Sequence, residues 1–251
     1  MAVTECPAVR GDAPPALRLR LLGGFHLSRG EGDGGGQVDV PAGGQQLLAL
    51  LGLRGPATRS VLAGTLWPDV TEERARACLR TSIWRLNAAS SAVGGPRPGV
   101  LALSRRVRMD IQDFTATAHH ILAAPAEGTG VACSSLLGTG ELLPGWHQDW
   151  VVFERERLHQ LRLHALEALS ARLVVHGQYA PALEAALEST RIDPLRESAH
   201  RAVVTVHLAE NNLVEAVRHF EAFRGLLRAE LGIEPSDQFR TMVRRGFPEN
   251  G

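Results

Sequence analysis

The feature that most constrains the fold of this chain is a proline that interrupts a helical pattern within Thr58–Asn87. Pro68 has no backbone donor and disfavours a helical conformation in the residue before it, so a helix that begins near Arg59 must end there. A second helix can begin directly afterwards, because Asp69 or Thr71 can cap its first turn. The segment therefore predicts two helices joined by a tight turn, a helix-turn-helix.

The second of these helices has one apolar face and one face that carries arginine. At about 100° per residue, the apolar face consists of Ala75, Leu79, Ile83 and Leu86. The opposite face consists of Arg74, Ala77, Thr81, Trp84 and Arg85, with Arg80 on its flank. Arginine can pair bidentately with guanine or phosphate, and a threonine methyl group can contact thymine. This face suits the major groove of DNA, although a solvated surface helix would show the same pattern.

A hairpin is predicted directly after this helix, at Gly99–Asp110, where two short apolar runs flank a polar turn. A hairpin in that position is the wing of a winged helix. Arg105 and Arg106 in its turn would lie near the sugar-phosphate backbone, as would Arg59 at the start of the first helix, and would add affinity that depends on salt. A plain surface hairpin is the alternative.

The charge of the chain is unevenly distributed although its formal sum is zero. Residues 1–110 contain 14 arginines and nine acidic residues, whereas residues 111–251 contain 13 arginines and 18 acidic residues. Within Arg54–Arg108 there are ten arginines and three acidic residues, a net charge of +7. The positive charge therefore coincides with the helix-turn-helix, as a phosphate-binding surface requires.

All 27 basic residues are arginine, because the chain contains no lysine. A Walker A phosphate loop, a protein kinase and a pyridoxal enzyme each need a lysine, so these classes are excluded. The glycine run Gly34–Gly36 is therefore predicted to be a hairpin tip between the strands LRLRLLGGFHL and QVDVP, and not a phosphate loop.

No catalytic or metal site is predicted from the histidines and cysteines. The three cysteines are odd in number and widely spaced, which favours neither a disulfide framework nor zinc and fits a reducing cytoplasm. His159 and His164 are five residues apart, off the register of a helical metal pair, and the adjacent His119 and His120 point to different faces. We expect no cofactor, no metal and no enzymatic activity.

The pattern along the chain predicts two domains with short flanks. Residues 1–16 are predicted to be disordered and show no signal peptide. Residues 17–110 would form a winged helix, with strands, a helix over about 43–54, the helix-turn-helix and the hairpin. Residues 111–240 would form an all-α domain, followed by a C-terminal tail, 241–251. No run of about twenty apolar residues indicates a membrane span.

The second domain shows self-similarity at a period of 34 residues, in which Ala182 corresponds to Ala216 and Ala186 to Phe220. That is the tetratricopeptide period, and stacked helix hairpins of this kind make surfaces that bind other proteins. The predicted fold class is mainly α with small antiparallel β-sheets, a winged helix-turn-helix followed by an all-α, tetratricopeptide-like domain. Helices are predicted at about 110–120, 149–176, 179–192, 195–210 and 212–231, with a loop over 123–138 and a structured turn at 141–146.

Several sequence blocks resemble the Streptomyces antibiotic regulatory protein family. They are LRLRLLGGF, LWPD, EERARACLRTSIWRLN, ELLPGWHQDWVVFERERL, DPLRESAHRAVVTVHLAE and RAELGIEPS, which extend from Leu17 towards Gln238. The resemblance implies an OmpR-type winged helix followed by a bacterial transcriptional activation domain of tetratricopeptide-like helices.

The resemblance further implies a transcription activator of a secondary-metabolite gene cluster, for example one that makes an antibiotic. Such a protein binds double-stranded promoter DNA at direct repeats near the −35 region and recruits RNA polymerase holoenzyme, including its primary sigma factor. Direct repeats would place two protomers head to tail, about one helical turn apart, through a heterologous contact. The protein would be cytoplasmic, and associated with the nucleoid when bound to DNA.

The resemblance also implies which residues contact DNA bases. Carried onto this sequence residue by residue, the recognition helix of the family indicates Arg74, Arg80, Thr81 and Arg85, in agreement with the helical pattern. Trp84 is expected to pack against the wing or a neighbouring protomer rather than to contact DNA. Two alternatives stay open: a protein-interaction adaptor whose winged helix does not bind DNA, and a repressor that uses the same helix.

Overall fold

A computed structural model describes residues 17–30, 36–95, 97–123 and 140–246. The described residues divide into two compact units, the first within 1–112 and 142–151 and the second within 113–141 and 152–251. Four sequence predictions lie wholly or partly outside the described residues. They are the disordered stretch 1–16, the glycine-rich hairpin tip, the loop 123–138, of which only residue 123 is described, and the tail 241–251, of which 241–246 are described.

The described part of the first unit contains six strands in two three-stranded sheets. The strands are β1 (Leu17–Arg20), β2 (His26–Arg29), β3 (Ala57–Thr58), β4 (Val93–Gly94), β5 (Val100–Leu103) and β6 (Val107–Met109). In the first sheet, of order β2-β1-β6, β1 runs antiparallel to β2 and parallel to β6. In the second, of order β3-β5-β4, both pairings are antiparallel.

Three helices pack together in this unit, and their bounds agree with the predicted ones. They are α1 (Ala42–Arg54), α2 (Arg59–Leu66) and α3 (Glu72–Ala89). Gly44 allows α1 to approach α3 closely, because a Cβ atom there would lie 3.1 Å from Leu86 Cγ and 2.9 Å from Val40 Cγ1. The predicted mainly helical fold with small antiparallel sheets is confirmed, and the parallel pairing of β6 with β1 is the one departure among the strand pairings described.

The N-terminal strands differ in detail from the prediction. LRLRLLGGFHL was expected to be one strand, but Gly23 and Gly24 adopt φ angles of +79° and +137° and divide it into β1 and β2. Positive φ angles are readily adopted by glycine, which is why the chain turns there. QVDVP, expected to be the partner strand, contributes only an isolated bridge between Gln37 and Ser28.

The predicted hairpin at Gly99–Asp110 is wrong as a paired hairpin. β5 pairs with β3 and β4 in one sheet, whereas β6 pairs with β1 in the other. The hairpin that follows α3 is instead formed by β4 and β5, in register Val93 with Leu103 and Gly94 with Ala102. Local alternation of apolar residues identified the strands, but long-range pairing decided their partners.

Asp110 connects the first sheet to the next helix, α4 (Asp110–Ala123). Its carboxylate accepts hydrogen bonds from the backbone N–H groups of Leu21, Leu22 and Ile111 at 2.8 to 3.1 Å. Burial raises the pKa of this carboxyl above its ordinary value, although the three N–H donors oppose that shift.

The structured turn predicted at 141–146 contributes to the first unit. Leu142 forms a bridge with Leu22, and the Leu143 N–H donates to the carbonyl of Leu21 at 2.9 Å. Trp146 stacks on Phe25, with ring centroids 6.5 Å apart. The chain therefore returns to the first unit after α4, over Leu142–Val151, before it continues in the second.

The second unit is helical in the part that the structure describes. After α4 its helices are α5 (Asp149–Val175), α6 (Tyr179–Ile192), α7 (Glu197–Ala209), α8 (Leu213–Leu231) and α9 (Asp237–Arg245). Adjacent helices pack in sequence, α6 on α7 and α7 on α8, as expected of stacked hairpins. No helix among the described residues combines the length and the apolar character needed to cross a bilayer.

The helix α9 was not predicted, and the expected tail 241–251 begins within it. Ser236 caps this helix by accepting a hydrogen bond from the Phe239 N–H at 3.2 Å, and Glu197 holds Ser236 in turn. Phe239 and Val243 complete an apolar core with α8. The Ser236 cap and the amphipathic sequence after it were the signals that could have identified α9.

Two ion pairs attach α5 to the helices that follow. Arg162 contacts Glu188 of α6 at 2.6 Å, and Arg196, just before α7, contacts Glu167 at 2.7 Å. The Arg162 and Glu188 side chains are 11% and 13% exposed, so this pair is largely shielded from solvent. Burial lowers the pKa of Arg162, and the charge of Glu188 opposes that shift.

Candidate nucleic-acid interface

The helix-turn-helix is positioned by its caps and by the interruption at Pro68. The Thr58 hydroxyl accepts a hydrogen bond from the Val61 N–H at 3.4 Å and caps the start of α2, which ends at Leu66 before the Trp-Pro-Asp turn. Thr71 is the N-cap residue of α3, without a side-chain hydrogen bond. Two glutamates in the first turn of α3 place negative charge at its positive end, as the sequence predicted.

One face of α3 is fixed against the core of the first unit. Ala75, Leu79 and Leu86 are buried there, and Ile83 is partly buried. Burial of this face leaves the opposite side of the helix in solvent. The four residues predicted to contact bases are all exposed: Arg74, Arg80, Thr81 and Arg85.

The exposed arginines of α3 differ in whether a carboxylate neutralises them. Arg76 forms an ion pair with Glu72, one turn earlier on the helix. Arg74, Arg80 and Arg85 form no ion pair with any other residue that the structure describes. Three guanidinium groups thus project from α3 with their donors available to a ligand.

The Thr81 side chain makes a hydrogen bond within its own helix. Its hydroxyl donates to the carbonyl of Ala77 at 3.1 Å. This bond occupies the hydroxyl proton, so the γ-methyl group is the part of Thr81 best suited to a contact outside the protein.

A cleft connects α3 with the start of α2 and the β4–β5 hairpin. It has a volume of about 490 Å³, and its walls include Arg59, Arg76, Arg80 and Gly99. The Arg59 N–H donates to the carbonyl of Gly99 at 3.1 Å, which holds α2 against the hairpin loop. The structure therefore brings two predicted residues, Arg59 and Arg80, to one concave, positively charged surface.

Arg105 and Arg106 are not part of this cleft. They are exposed on the connection between β5 and β6, at the end of β5 away from the β4–β5 loop. Their expected position on a wing is corrected by the strand pairing, whereas contact with DNA stays a prediction.

Sequence reasoning missed Arg97, which is exposed in the β4–β5 loop. The loop follows directly from Val93–Gly94 and ends at Gly99, whose φ angle is +81°. The Pro-Arg-Pro-Gly sequence between two apolar runs was the signal of a turn at this point. Arg97 therefore takes the wing position that was assigned to Arg105 and Arg106.

Trp84 is not packed against the wing, which was one of its two expected positions, whereas packing against a neighbouring protomer stays a prediction. Its side chain is 71% exposed, although large aromatic side chains are usually well buried. It follows Thr81 by three residues and precedes Arg85, so it lies among the residues predicted to contact bases.

Comparison with known proteins gives a family match, a similar regulatory protein and a similar solved structure. The sequence profile of the bacterial transcriptional activator domain matches residues 109–245, more than half of the chain. Regulatory protein AfsR of Streptomyces coelicolor is 27% identical over 253 residues, which cover 92% of this chain and 24% of AfsR. Mycobacterium tuberculosis EmbR, solved in complex with a low-affinity phosphopeptide, has a similar fold, with a TM-score of 0.71 and 18% identity.

The alignments cover different shares of AfsR and EmbR. The EmbR alignment includes 92% of this chain and 65% of the EmbR chain. The chain therefore spans about a quarter of AfsR and just under two thirds of EmbR. The likeness to EmbR extends over both units of the chain and shows their fold.

Proposed function

We propose that this chain, a member of the bacterial transcriptional activator domain family and a transcriptional regulator of the Streptomyces antibiotic regulatory protein type, activates transcription by binding promoter DNA through α3. In this proposal the first unit binds specific DNA sequences, and the second contacts the transcription machinery. The observation that carries this proposal is the exposed face of α3, where Arg74, Arg80 and Arg85 have no described acidic partner.

The α3 face has the chemistry of direct base readout. Free guanidinium groups can pair with the O6 and N7 atoms of guanine, and the Thr81 methyl group can contact the methyl group of thymine. Arginines that were already neutralised by carboxylates would gain less from a duplex, because the protein would first lose those ion pairs. Arg76 is such a case, since it pairs with Glu72.

Backbone contacts are assigned to the edges of the same surface. Arg59 at the start of α2 lines the cleft beside α3, and the exposed Arg97 directly precedes Pro98, which also lines it. The charges of the two arginines suit phosphates on either side of a groove. Arg105 and Arg106 add positive charge further from α3, so we rank their contribution below that of Arg97. Contacts of this kind raise affinity for every sequence equally.

The arrangement of protomers on DNA follows from the orientation of the half-sites. We propose direct repeats near the −35 region, with two protomers head to tail and about one helical turn apart. The activator domain in the second unit would then recruit RNA polymerase holoenzyme and its primary sigma factor, at a promoter of a secondary-metabolite gene cluster. The protein would be cytoplasmic and would associate with the nucleoid when it binds DNA.

Footprinting tests site, spacing and stoichiometry together. The purified chain is incubated with the promoters of its own genomic neighbourhood, and protection from nuclease is mapped. We expect two protected half-sites about one helical turn apart, of the same orientation. Transcription in vitro with purified polymerase should then increase from the protected promoter.

Each alternative function has its own result in these assays. A repressor would give the same footprint but lower the transcript yield. An adaptor without DNA affinity would give no protection and no mobility shift, even at low salt, where phosphate contacts are strongest. Either result would contradict the proposed activation.

A further inference from the structure

We propose that Trp84 is a specificity-determining residue that contacts a thymine base edge in the major groove. The inference rests on the proposed DNA binding by α3 and goes beyond it, because it assigns an apolar readout to a residue that the arginine pattern does not explain. Its basis is the position of Trp84 on the helix, its exposure and the small size of its neighbours.

Trp84 points away from the core more directly than the arginines do. The mean direction of the buried residues Ala75, Leu79 and Leu86 marks the core side of α3. At about 100° per residue, Trp84 lies roughly 160° around the helix from that direction. Arg80 and Arg85 lie roughly 120° and 100° from it. The arginines thus flank the exposed face, and the indole is near its centre. When a recognition helix enters a groove, the centre of the exposed face comes closest to the bases.

The neighbours of Trp84 leave space for a flat base edge. Ala77, two turns earlier on the same side of α3, presents only a methyl group, and the Thr81 hydroxyl is bonded to the Ala77 carbonyl at 3.1 Å. Ala77, the Thr81 methyl group and Trp84 thus form a short apolar strip along the centre of the exposed face of α3. Arginines lie on both sides of this strip. The strip would therefore face base edges, while the guanidinium groups beside it would pair with neighbouring bases.

The chemistry of the strip selects thymine. The 5-methyl group of thymine is the one apolar group that a base pair presents in the major groove, and aromatic or threonine side chains contact it favourably. The described part of the chain covers only a minor part of Trp84, which is 71% exposed. Insertion of α3 into the groove would cover this apolar surface, because the arginines that flank Trp84 are the proposed DNA contacts.

The test removes one methyl group at a time from the DNA. A high-affinity duplex is first selected from a random-sequence library with the wild-type chain, and each thymine is then replaced singly by deoxyuridine, which lacks only the 5-methyl group. Affinity is measured by fluorescence anisotropy for wild type, Trp84→Ala and Trp84→Phe. Phe153→Ala is the matched control, because Phe153 is 72% exposed in the second unit.

We expect at least one thymine whose replacement weakens wild-type binding by roughly fourfold, the effect of one buried methyl group. Trp84→Ala should bind the unmodified duplex more weakly and should show no further loss at that position. Trp84→Phe should retain part of the sensitivity, and Phe153→Ala all of it. Thermal unfolding should be the same for all variants, since both aromatic rings are exposed.

Two outcomes would overturn the assignment while leaving the DNA-binding function intact. Equal sensitivity of wild type and Trp84→Ala at every thymine would show that Trp84 contacts no methyl group. Normal affinity of Trp84→Ala for one half-site, with loss of cooperativity on two, would place Trp84 between neighbouring protomers. If the wild type itself selected no duplex from the library, the proposed function would fail instead.

Discussion

The backbone N–H of Arg59 donates to the carbonyl of Gly99 at 3.1 Å, and this bond joins the first turn of α2 to the loop that follows β4. Gly99 adopts a φ angle of +81°, which side chains disfavour. The cleft beside α3 therefore depends on a glycine that lies outside the recognition helix, in the β4–β5 loop. The proposed phosphate contacts of Arg59 and Arg97 share this anchor.

Gly99→Ala should weaken binding to all DNA sequences without changing the preferred one. The added Cβ atom strains the backbone by about 1 kcal/mol or more and displaces the Gly99 carbonyl from Arg59. Gly64→Ala is the matched control, because Gly64 lies in α2 with open space around it and should gain helix stability. Anisotropy on selected and scrambled duplexes measures both variants. A change of preferred sequence in Gly99→Ala would contradict this role.

Arg85→Ala should reduce affinity for the selected duplex by about 1 to 3 kcal/mol and relax its sequence preference, because a bidentate base contact is lost. Arg218→Ala removes the same charge from α8, where Arg218 is 70% exposed and paired with Glu215, and should change little. The measurement is competition against duplexes that carry single base changes. If Arg85→Ala lost affinity equally on selected and scrambled DNA, Arg85 would be a phosphate contact.

Arg97→Ala should weaken binding to every duplex and lower the slope of log affinity against log salt by about one, as the loss of one phosphate contact requires. Arg105→Ala and Arg106→Ala should have smaller effects, because both residues lie on the β5–β6 connection. Titrations at several salt concentrations measure the three slopes. The wing assignment would be wrong if Arg105→Ala changed the slope and Arg97→Ala did not.

The second unit should lose stability as the pH falls from about 6.5 towards about 4. His219 donates to or accepts from His200 at 3.0 Å, and burial, followed by the nearby His200 and His207, lowers the pKa of His219 to about 4. The unfolded chain binds the proton near the ordinary histidine pKa of about 6.5 and the folded chain does not, so the stabilising effect is present above that pH and lost below it.

Urea unfolding of wild type and His219→Gln across this pH range measures the effect. We expect wild type to lose about 2 kcal/mol more than His219→Gln, a value discounted because His219 is partly exposed to solvent. His120→Gln, at an exposed position in α4, should behave as wild type. Parallel pH dependence in wild type and His219→Gln would exclude His219 as the cause.

The sequence was sufficient for those features that local chemistry decides. Pro68, the Thr58 cap and the apolar spacing of α3 predicted the helix-turn-helix, and the exposed positions of Arg74 and Arg85 followed from the same spacing. Each of these depends on residues within a few turns of one another.

Features that depend on distant residues were not predictable in the same way. The pairing of β6 with β1 joins residues about 90 positions apart, and it moved the wing from Arg105 to Arg97. The return of Leu142–Val151 to the first unit depends on Leu21 and Leu22, which no local pattern indicates. Exposure of Trp84 likewise became visible only when the hairpin beside α3 was in place.

The most direct test of DNA reading by α3 is the affinity ratio between a selected duplex and a scrambled one of equal length and composition. Fluorescence anisotropy of the wild-type chain at near-physiological salt should give a ratio of about 10³ or more. A combined Arg74→Ala, Arg80→Ala and Arg85→Ala variant should bring the ratio close to one while remaining folded. Equal wild-type affinity for the two duplexes, or an unchanged ratio in the combined variant, would contradict the account.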